Sequence, residues 1–485
     1  MNNNWINDLE QWITYVTGIV GDIASAAWGV PSIIILVGTG LFLTIRMKFI
    51  QFRGFKHAIE LVAGKHDKKD DPGEVSHFQA LTAALSATVG TGNIAGVAMA
   101  IGIGGPGALF WMWITALVGM ASKYTSCTLA IKYRMFHPDG TVSGGPMHTL
   151  KNGLKMPTLA TLFALFAFIA SFGIGNLVQA NSVVSGLTFI MPDIKGYKWI
   201  IGLILTGAVG LVIIGGFKRI AHVASYIVPF MAILYTGAAL IILVLNSDQI
   251  ILAFQTIFLW AFNPPAVGGG VLGASVSIGI GEAMRHGVAR GVFSNESGLG
   301  SAPMAHATAK TKEPVREGLV ASLEPFIDTI VICTMTGLVI VIMGINIMGI
   351  TKPEDWGDVI LYVIKVNNLE GASLSAFAFK EGLGQAGSWI VSLGLVFFAY
   401  STVITWSYYG DRSAEFLFGE KAVLPYRIVY TIIVFIGAVV PIKLVWNLSD
   451  ITNILMALPN LISLVLLAGL VKKWTDKYFS EMKQR

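Results

Sequence analysis

Charged side chains are scarce in this sequence. Asp, Glu, Lys and Arg make up 13% of its 485 residues, whereas 54% are hydrophobic. Soluble domains carry roughly a quarter charged residues, and the mean hydropathy here is +0.69. Apolar runs of about 18 residues, enough to cross a hydrocarbon core of roughly 30 Å, recur along the whole chain. The composition excludes a soluble fold and predicts an all-α polytopic membrane protein.

Three further features are missing. The net charge of +5 comes with no basic face or stripe, so the sequence predicts no nucleic-acid partner. The two cysteines, Cys127 and Cys333, lie in apolar segments, where small packing residues are commoner than disulfide or metal pairs. Residues 1–4 lack the positive charge of a cleavable signal peptide. We therefore expect the first spanning helix to act as the insertion signal.

Enzyme signatures are weak or absent. The sequence has no phosphate-binding loop ending in Gly-Lys-Ser/Thr and no His-Glu-x-x-His motif. A single Gly-x-Gly-x-x-Gly match at Gly268, Gly270 and Gly273 lacks the strand and the acidic residue of a dinucleotide site, and we interpret it as a loop. These absences predict no enzyme and no organic cofactor. Without an ATP-binding module, an ion gradient must drive transport, unless the protein is a passive channel.

Eleven transmembrane helices are predicted, after an amphipathic stretch over residues 5–22 that suits the membrane interface. The predicted spans cover residues 28–45, 79–103, 107–133, 157–190, 198–215, 219–245, 284–306, 318–347, 387–410, 424–443 and 449–471. Segments 248–263 and 357–379 are partly apolar, and we interpret them as re-entrant or lid-like loops. Ten or twelve spans are the alternatives.

The distribution of Lys and Arg predicts the orientation. No basic residue precedes Arg46, whereas seven lie between Arg46 and Lys69. Loops rich in Lys and Arg tend to stay in the cytoplasm, and the later basic clusters fall on the same side only if the number of spans is odd. We therefore expect the N-terminus outside and the C-terminus inside, in the cytoplasmic membrane of a prokaryote.

Ten spans remain after the first, and they divide into two groups of five. Because five is odd, the second group must enter the membrane from the opposite side, as in an inverted-topology repeat. The predicted regions are an N-terminal helix, extra span and basic loop, a first repeat, an external loop, a second repeat and a basic cytoplasmic tail, over residues 1–78, 79–245, 246–283, 284–471 and 472–485. Such a fold predicts interrupted helices at the start of each repeat.

The first helix of the first repeat contains the run LSATVGTGNIAG over residues 85–96. Glycine costs about 1 kcal/mol against alanine inside a helix, and freed backbone groups in a membrane must line a cavity or meet protein. An unwound stretch here would offer carbonyls to sodium and amides to a substrate carboxylate. Close helix packing through Gly92 and Gly96 is the alternative. Asn93 favours the functional interpretation, because an amide in a span needs a polar partner.

The first helix of the second repeat carries the most polar intramembrane stretch of the chain. Glu296 lies there among Asn295, Ser297 and several glycines, and an ionisable residue in a span is a functional-site hypothesis. Its carboxylate could anchor a cation, receive a substrate amine, or pair with Arg290 as a structural gate. Phe293, just before the expected break, either shapes the pocket or simply packs.

Two other predicted spans carry polar clusters: Asn176 and Gln179 in one, and Ser401, Thr402, Thr405 and Trp406 in the other. Asn176 and Gln179 are three residues apart and hence share a helical face. A lone threonine in a membrane helix usually bonds to its own carbonyls. Several hydroxyls beside unwound carbonyls, however, would complete an oxygen cage for sodium.

The segment GGPGALFWMWITALVG, from Gly104 to Gly119, resembles the signature of the alanine/glycine:cation symporter (sodium:alanine symporter) family. The runs 89–93 and 295–300 resemble the motifs of its first and sixth helices. The resemblance covers nearly the whole chain. It implies a LeuT-type fold of the amino acid-polyamine-cation superfamily, a 5+5 inverted repeat preceded by one extra helix. It also implies sodium-coupled import of alanine, glycine or a similar small neutral amino acid by alternating access.

Motifs and resemblance together name candidate site residues. Those expected around the substrate are Thr88, Val89, Gly90, Thr91, Gly92, Asn93, Gln179, Phe293, Thr402 and Trp406. The resemblance implies that sodium binds the backbone of Ser86 and Val89 and the hydroxyls of Ser401 and Thr402. Possible gate or anchor residues are Arg290, Asn295, Glu296, Ser297 and Asn176.

Two of these residues predict which substrates bind. We expect Phe293 and Trp406 to limit the size of the substrate side chain. Separately, we expect the protein to function as a monomer in the lipid bilayer. Proton coupling and a preference for glutamine or serine are the open alternatives. An ion channel or a membrane-embedded enzyme fits the sequence less well.

Overall fold

A computed structural model describes residues 4–68, 70–138, 140–263, 279–440 and 442–484. Side chains within these ranges are described except at residues 4–11, 13, 195, 442–444 and 483. The described chain is almost entirely helical, as its composition predicts. A two-stranded antiparallel hairpin joins β1 (Met135–Phe136) to β2 (Val142–Ser143).

Helices also fill the first half of the chain. They are α1 (Asn4–Ala27), α2 (Val30–Arg46), α3 (Ile50–Arg53), α4 (Phe55–Val62), α5 (His77–Thr88), α6 (Val97–Gly104), α7 (Ala108–Tyr133), α8 (Pro146–His148), α9 (Pro157–Phe172), α10 (Val178–Ile190), α11 (Lys198–Ile213), α12 (Gly216–Leu245) and α13 (Ile250–Phe262). π-Helical turns occur at Gly92–Gly96, Thr149–Gly153 and Gly173–Leu177, and 3-10 turns at Pro192–Tyr197 and Ser247–Gln249.

The second half continues in the same way. Its helices are α14 (Ile280–Asn295), α15 (Ala302–His306), α16 (Pro314–Ala321), α17 (Leu323–Pro325), α18 (Thr334–Met348), α19 (Ala372–Leu383), α20 (Gln385–Phe418), α21 (Val423–Val439) and α22 (Ile442–Lys483). π-Helical turns lie at Phe326–Cys333 and Val359–Lys365, and 3-10 turns at Pro353–Trp356 and Glu420–Ala422.

Six helices of the described chain are long and apolar enough to cross a membrane, and eight if each of two bent pairs counts as one span. The six are 157–190, 216–245, 314–348, 385–418, 420–439 and 445–482, and the bent pairs are α1 with α2 and α5 with the helix over 92–104. Helix α11 is apolar but short, and α7 is rich in Trp, Ser, Thr and Lys. An all-α membrane protein is confirmed, whereas the count of eleven spans stays a prediction.

Several segments predicted as loops or tails are helical. Helix α13 occupies most of segment 248–263, and a π-helical turn with α19 occupies much of 357–379. The predicted basic tail is the end of α22, whose 42 residues extend about 63 Å, well beyond a hydrocarbon core of about 30 Å. The glycine motif at residues 268–273 lies outside the described residues.

Small residues let the helices that carry the polar motifs approach closely. An ideal Cβ at Gly287 of α14 would clash with the carbonyl of Ala108 in α7, and one at Gly318 of α16 would clash with Thr128. In the absence of a hydrophobic force between helices in lipid, such close backbone packing is a main source of association. Helix α7 thereby packs against both α14 and α16, and α20 packs against α5 and α10.

Candidate ion and substrate site at two helix breaks

The first predicted interruption is present. Helix α5 ends at Thr88, Val89 and Gly90 leave the helical conformation, and a π-helical turn starts at Gly92. The two halves of the helix are bent by 49° relative to each other. All residues from 86 to 93 are buried. Backbone groups freed by the break therefore face protein rather than lipid, the condition under which a membrane helix tolerates one.

An oxygen-rich cluster lies at the end of α5. The Ser86 carbonyl accepts hydrogen bonds from the hydroxyls of Thr402 at 3.0 Å and Ser401 at 3.4 Å. The Ser86 hydroxyl donates to the Ser401 carbonyl at 2.7 Å and accepts from Thr405 at 3.0 Å. The structure thus brings together three of the four residues expected around sodium. The fourth, Val89, is buried at the break itself.

Gly90 lies against two of the expected substrate residues. A Cβ at this position would lie 2.5 Å from Thr402 Oγ1 and 3.3 Å from Gln179 Oε1. Gln179 Oε1 also accepts a hydrogen bond from the Thr91 amide at 3.4 Å, and Gln179 Nε2 donates to the Ile174 carbonyl at 2.9 Å. Helix α10 therefore positions Gln179 over the first break, where the family resemblance implies a substrate contact.

Asn93 has the polar partner that its place in a span requires. Its Oδ1 accepts from the Gly90 amide at 2.9 Å, and its Nδ2 donates to Asp328 Oδ1 at 2.6 Å. The same carboxylate accepts from Ser294 at 3.2 Å and from Thr329 at 2.7 Å. Asn93 thus connects the unwound backbone to an acid of the span over 314–348. Asp328 was not among the predicted site residues, although an acid inside a predicted span was the available signal.

The two threonines of the first motif differ in their contacts. The Thr88 hydroxyl bonds to carbonyls of its own helix, Ala84 and Leu85, both at 3.3 Å, which is the ordinary behaviour of a helical threonine. The Thr91 hydroxyl is buried and has no hydrogen-bond partner among the described residues. A buried hydroxyl without a partner costs about 1–3 kcal/mol. Thr91 is therefore the polar group of this break most in need of a ligand.

The second predicted interruption is present as well. Helix α14 ends at Asn295, and Glu296 adopts a left-handed conformation with φ 54°. Gly298 and Gly300 also have positive φ, at 87° and 91°, before α15 begins at Ala302. A left-handed glutamate is uncommon, and such strained positions concentrate at functional sites. The two breaks lie close together, because a Cβ at Gly92 would come 2.8 Å from Ser294 Cα.

Glu296 is held by neutral donors. Trp406 Nε1 donates to its Oε1 at 2.8 Å, and the Ser301 hydroxyl donates to its Oε2. Asn295 closes the turn by accepting from the Ser297 amide at 3.0 Å and donating to Thr329 at 3.0 Å. The Ser297 hydroxyl has no partner within the described chain. The hydrogen bonds of Glu296 explain how its carboxylate is stabilised without lipid contact.

The alternative in which Arg290 pairs with Glu296 is wrong. Arg290 forms an ion pair with Asp450 of α22 instead. Phe293 stacks on Trp446 of the same helix, with ring centroids 4.6 Å apart and an interplanar angle of 29°. These contacts attach α14 to α22, and they place Phe293 in a packing contact as well as near the break.

Asn176 contacts a different neighbour from Gln179. Its amide donates to the Tyr430 carbonyl at 2.7 Å, in α21, whereas Gln179 reaches the first break. Asn176 itself lies in the π-helical turn Gly173–Leu177, and this turn shifts the facing of later residues relative to an α-helix. The shared face predicted from a spacing of three therefore does not bring Asn176 to the break.

Comparisons with known proteins agree with this site. The model of the sodium:alanine symporter family matches residues 13–485. The sodium/alanine symporter AgcS of Methanococcus maripaludis is 46% identical, over 96% of this chain and 98% of that protein. The probable sodium/glutamine symporter GlnT of Bacillus subtilis is 34% identical, over 98% and 92%. The putative sodium/proton-dependent alanine carrier YrbD of the same organism is 36% identical, over 93% and 90%.

The chain belongs to the sodium:alanine symporter family. The symporter is therefore a membrane transporter and not an enzyme. The family resemblance read from the three motifs is confirmed. The relatives differ in the substrates and ions that their names give, so the family alone does not select among small amino acids.

A buried network of charged side chains in this symporter was not predicted from the sequence. His306 contacts Glu317 Oε1 through Nδ1 at 2.5 Å and Glu324 Oε1 through Nε2 at 2.7 Å. Glu317 also contacts His77, and Glu324 contacts Lys123. All five side chains are buried. If both carboxylates are ionised they only accept hydrogen bonds, and His306 then carries a proton on both ring nitrogens.

The network connects the two broken helices. His77 begins α5 and His306 ends α15, and these two helices contact each other. Lys123, Glu317 and Glu324 lie on the neighbouring helices α7, α16 and α17. Ionisable residues inside predicted spans were the signal that could have revealed it. The sequence does not show which of these residues pair with each other, because the partners are as far as 240 positions apart.

Proposed function

We propose that the protein imports small neutral amino acids, alanine and/or glycine, by sodium-coupled symport with alternating access. The single observation that carries this proposal is that two helix breaks meet beside a cluster of oxygen atoms able to bind a cation. The Ser86 carbonyl and the hydroxyls of Ser401 and Thr402 come from different helices and converge within hydrogen-bond distance. Hard cations prefer such oxygen ligands.

The proposed sodium site uses Ser86, Val89, Ser401 and Thr402. The two hydroxyls now donate to a carbonyl, and rotation of their O–H bonds would turn their lone pairs, with that carbonyl, toward a cation. Val89 at the break would add its own carbonyl. Sodium is here a transported ion, and no organic cofactor takes part in the proposal.

The proposed substrate site lies next to the sodium site. The amino-acid carboxylate would accept hydrogen bonds from the partnerless hydroxyl of Thr91 and from amides of the unwound segment. Gly90 is flanked by Thr402 and Gln179 at distances that leave no room for a Cβ. Phe293 and Trp406, beside the second break, are proposed to limit the size of the substrate side chain.

Glu296 is proposed as a polar anchor of the second break. Its hydrogen bonds with Trp406 and Ser301 connect the break to α20, the helix that carries the sodium hydroxyls. Asn295 and Ser297 complete this turn. A movement of this break would therefore act on α20, the helix that also carries Thr402.

For the whole molecule we propose two inverted five-helix repeats, over residues 79–245 and 284–471, after an extra N-terminal helix. The breaks support this division, because each falls in the first helix of its proposed repeat. Lys and Arg clusters support an external N-terminus and a cytoplasmic C-terminus. We further propose that the monomer is the functional unit.

Uptake into proteoliposomes tests the function directly. We expect saturable accumulation of labelled alanine or glycine that requires an inward sodium gradient and disappears when choline replaces sodium. Uptake that follows a proton gradient without sodium would support the proton-coupled alternative, to which the name of YrbD points. Preferred uptake of glutamine or serine would correct the substrate, and a linear, non-saturating current would overturn symport altogether.

A further inference from the structure

Three side chains of the kinds that bind metal ions form a cluster outside the transport site. They lie in the sequence between helices α2 and α5. Helix α4 carries His57 and Glu60, which are three residues apart and therefore on one face. The third member, His66, follows the end of this helix. One ligand-type atom from each of these side chains lies within 4.8 Å of the other two.

A glycine turn returns His66 to this face of α4. Gly64 has φ 75°, its amide donates to the Leu61 carbonyl at 3.0 Å, and the Lys65 amide donates to the Glu60 carbonyl at 3.2 Å. This pair of bonds is the Schellman pattern that ends a helix on a left-handed glycine. The reversal leaves His66 beside Glu60.

Contacts from distant helices fix the two histidines. Arg316 Nη1 donates to the His66 carbonyl at 3.1 Å, which holds the backbone of the turn against α16. His57 Nε2 and the Tyr478 hydroxyl of α22 share a hydrogen bond of 2.7 Å. That bond leaves His57 Nδ1 free to face Glu60. The arrangement is thus built by tertiary contacts rather than by three flexible side chains alone.

The distances suit a tetrahedral ion. His57 Nδ1 lies 3.4 Å from Glu60 Oε2, and His66 Nε2 lies 3.8 Å from the same oxygen. Zinc bonds of about 2.0–2.2 Å in tetrahedral geometry place ligand atoms roughly 3.3–3.6 Å apart. The two imidazole rings are edge to face, with centroids 4.9 Å apart. A bound ion would have to draw these side chains closer together than they lie here.

We propose that His57, Glu60 and His66 bind a divalent transition-metal ion, preferentially zinc, with water as the fourth ligand. Two imidazoles and one carboxylate are a known zinc ligand set. Tyr478 would be the outer-shell partner that fixes the tautomer of His57. A bound ion would lock α4 and its turn together and, through Tyr478, hold them against the end of α22. This site is separate from the proposed transport function.

A second cluster of similar composition is less suitable and provides a control. His137 faces Glu415 through Nε2 at 3.0 Å and Glu420 through Nδ1 at 3.6 Å. This cluster also has one ligand-type atom from each side chain within 4.8 Å of the other two, but it offers a single imidazole beside two carboxylates, and Glu420 is largely exposed. Imidazole suits zinc better than carboxylate does, so we expect this cluster to bind zinc more weakly. We therefore expect His137→Gln to leave zinc binding at the first site unchanged.

Zinc titration of the purified full-length transporter tests the proposal. The detergent-solubilised protein, with its affinity tag removed and metals stripped by a chelator, competes for zinc with a chromophoric chelator. We expect one equivalent to bind with micromolar affinity or better. His57→Gln, Glu60→Gln and His66→Gln should each weaken binding at least about tenfold, and Tyr478→Phe about 10–100-fold. Cobalt at the site should show the intense visible absorption of tetrahedral coordination.

The controls separate loss of the site from loss of the fold. Each variant must elute as a single species and retain sodium-driven uptake, because none of the altered residues lies at the transport site. His66→Gln is the sharpest variant, since its side chain is partly exposed. Absence of stoichiometric zinc binding in the unaltered protein would overturn the proposal, as would equal affinity in His66→Gln. Either result leaves the transport proposal untouched.

Discussion

Replacement of Thr402 by valine removes one hydroxyl from the proposed sodium site while keeping the shape of the side chain. In the structure this hydroxyl lies 3.0 Å from the Ser86 carbonyl and 3.0 Å from the Phe398 carbonyl of its own helix. Ser86 retains the Ser401 hydroxyl at 3.4 Å, and Phe398 retains its bond from Ser401 at 2.9 Å. We therefore expect the variant to fold.

We expect Thr402→Val to lower the affinity of the transporter for sodium. Hydrogen bonds to charged groups contribute about 1.5–3 kcal/mol, and we take one oxygen ligand of a cation to be worth a similar amount. Each 1.4 kcal/mol corresponds to about a factor of ten in affinity. Thr402→Val should thus raise the sodium concentration for half-maximal alanine uptake by about ten- to a hundredfold.

The assay is alanine uptake into proteoliposomes as a function of external sodium, at saturating alanine. Ser407→Ala is the matched control, because this buried hydroxyl of the same helix bonds, among the described residues, only to the Ile404 carbonyl, at 2.6 Å. Its sodium dependence should equal that of the unaltered protein. If Thr402→Val and Ser401→Ala both leave the sodium dependence unchanged, neither hydroxyl binds the ion and the proposed site is wrong.

Three other substitutions test neighbouring parts of the site. Gly90→Ala should lower alanine uptake at least about tenfold, because its Cβ would come 2.5 Å from Thr402 Oγ1 and displace that hydroxyl; unchanged uptake would contradict this. Asp328→Asn should raise the alanine concentration for half-maximal uptake about tenfold, since Asn93 loses a charged acceptor; an unchanged value would show that Asn93 needs no such support. His306→Gln should destabilise the fold by about 3–5 kcal/mol, because it leaves two buried carboxylates without their shared partner; an unchanged thermal midpoint in detergent would refute this.

The helix breaks were predictable because their cause is local. Glycines such as Gly90, Gly92 and Gly298, among short polar side chains, weaken a helix wherever it lies. In a bilayer the freed backbone groups must then line a cavity or meet protein. The hydroxyl cluster was also predictable from the sequence, because Ser401 and Thr402 are polar residues in an apolar span. Both predictions needed only the sequence within one helix.

The partners of the polar residues were not predictable, because they are set by packing between distant segments. Asn93 contacts Asp328 across 235 positions, and Arg290 contacts Asp450 across 160. Nothing in the local sequence distinguishes Asp450 from Glu296 as the partner of Arg290. The choice depends on which helix the close packing of small residues brings alongside.

The oxygen ligands of the proposed sodium site come from two different repeats, and this bears on how sodium would drive the proposed transport cycle. A ligand shifts a conformational equilibrium only by the difference in its affinity for the two states. Ser86 belongs to the first proposed repeat, whereas Ser401 and Thr402 belong to the second, so their oxygens meet only when α5 and α20 are in contact. A cation bound there would favour this state over any state in which the helices separate. Thr91, five residues after Ser86, would be ordered by the same contact, and for this reason sodium should raise the affinity for the amino acid.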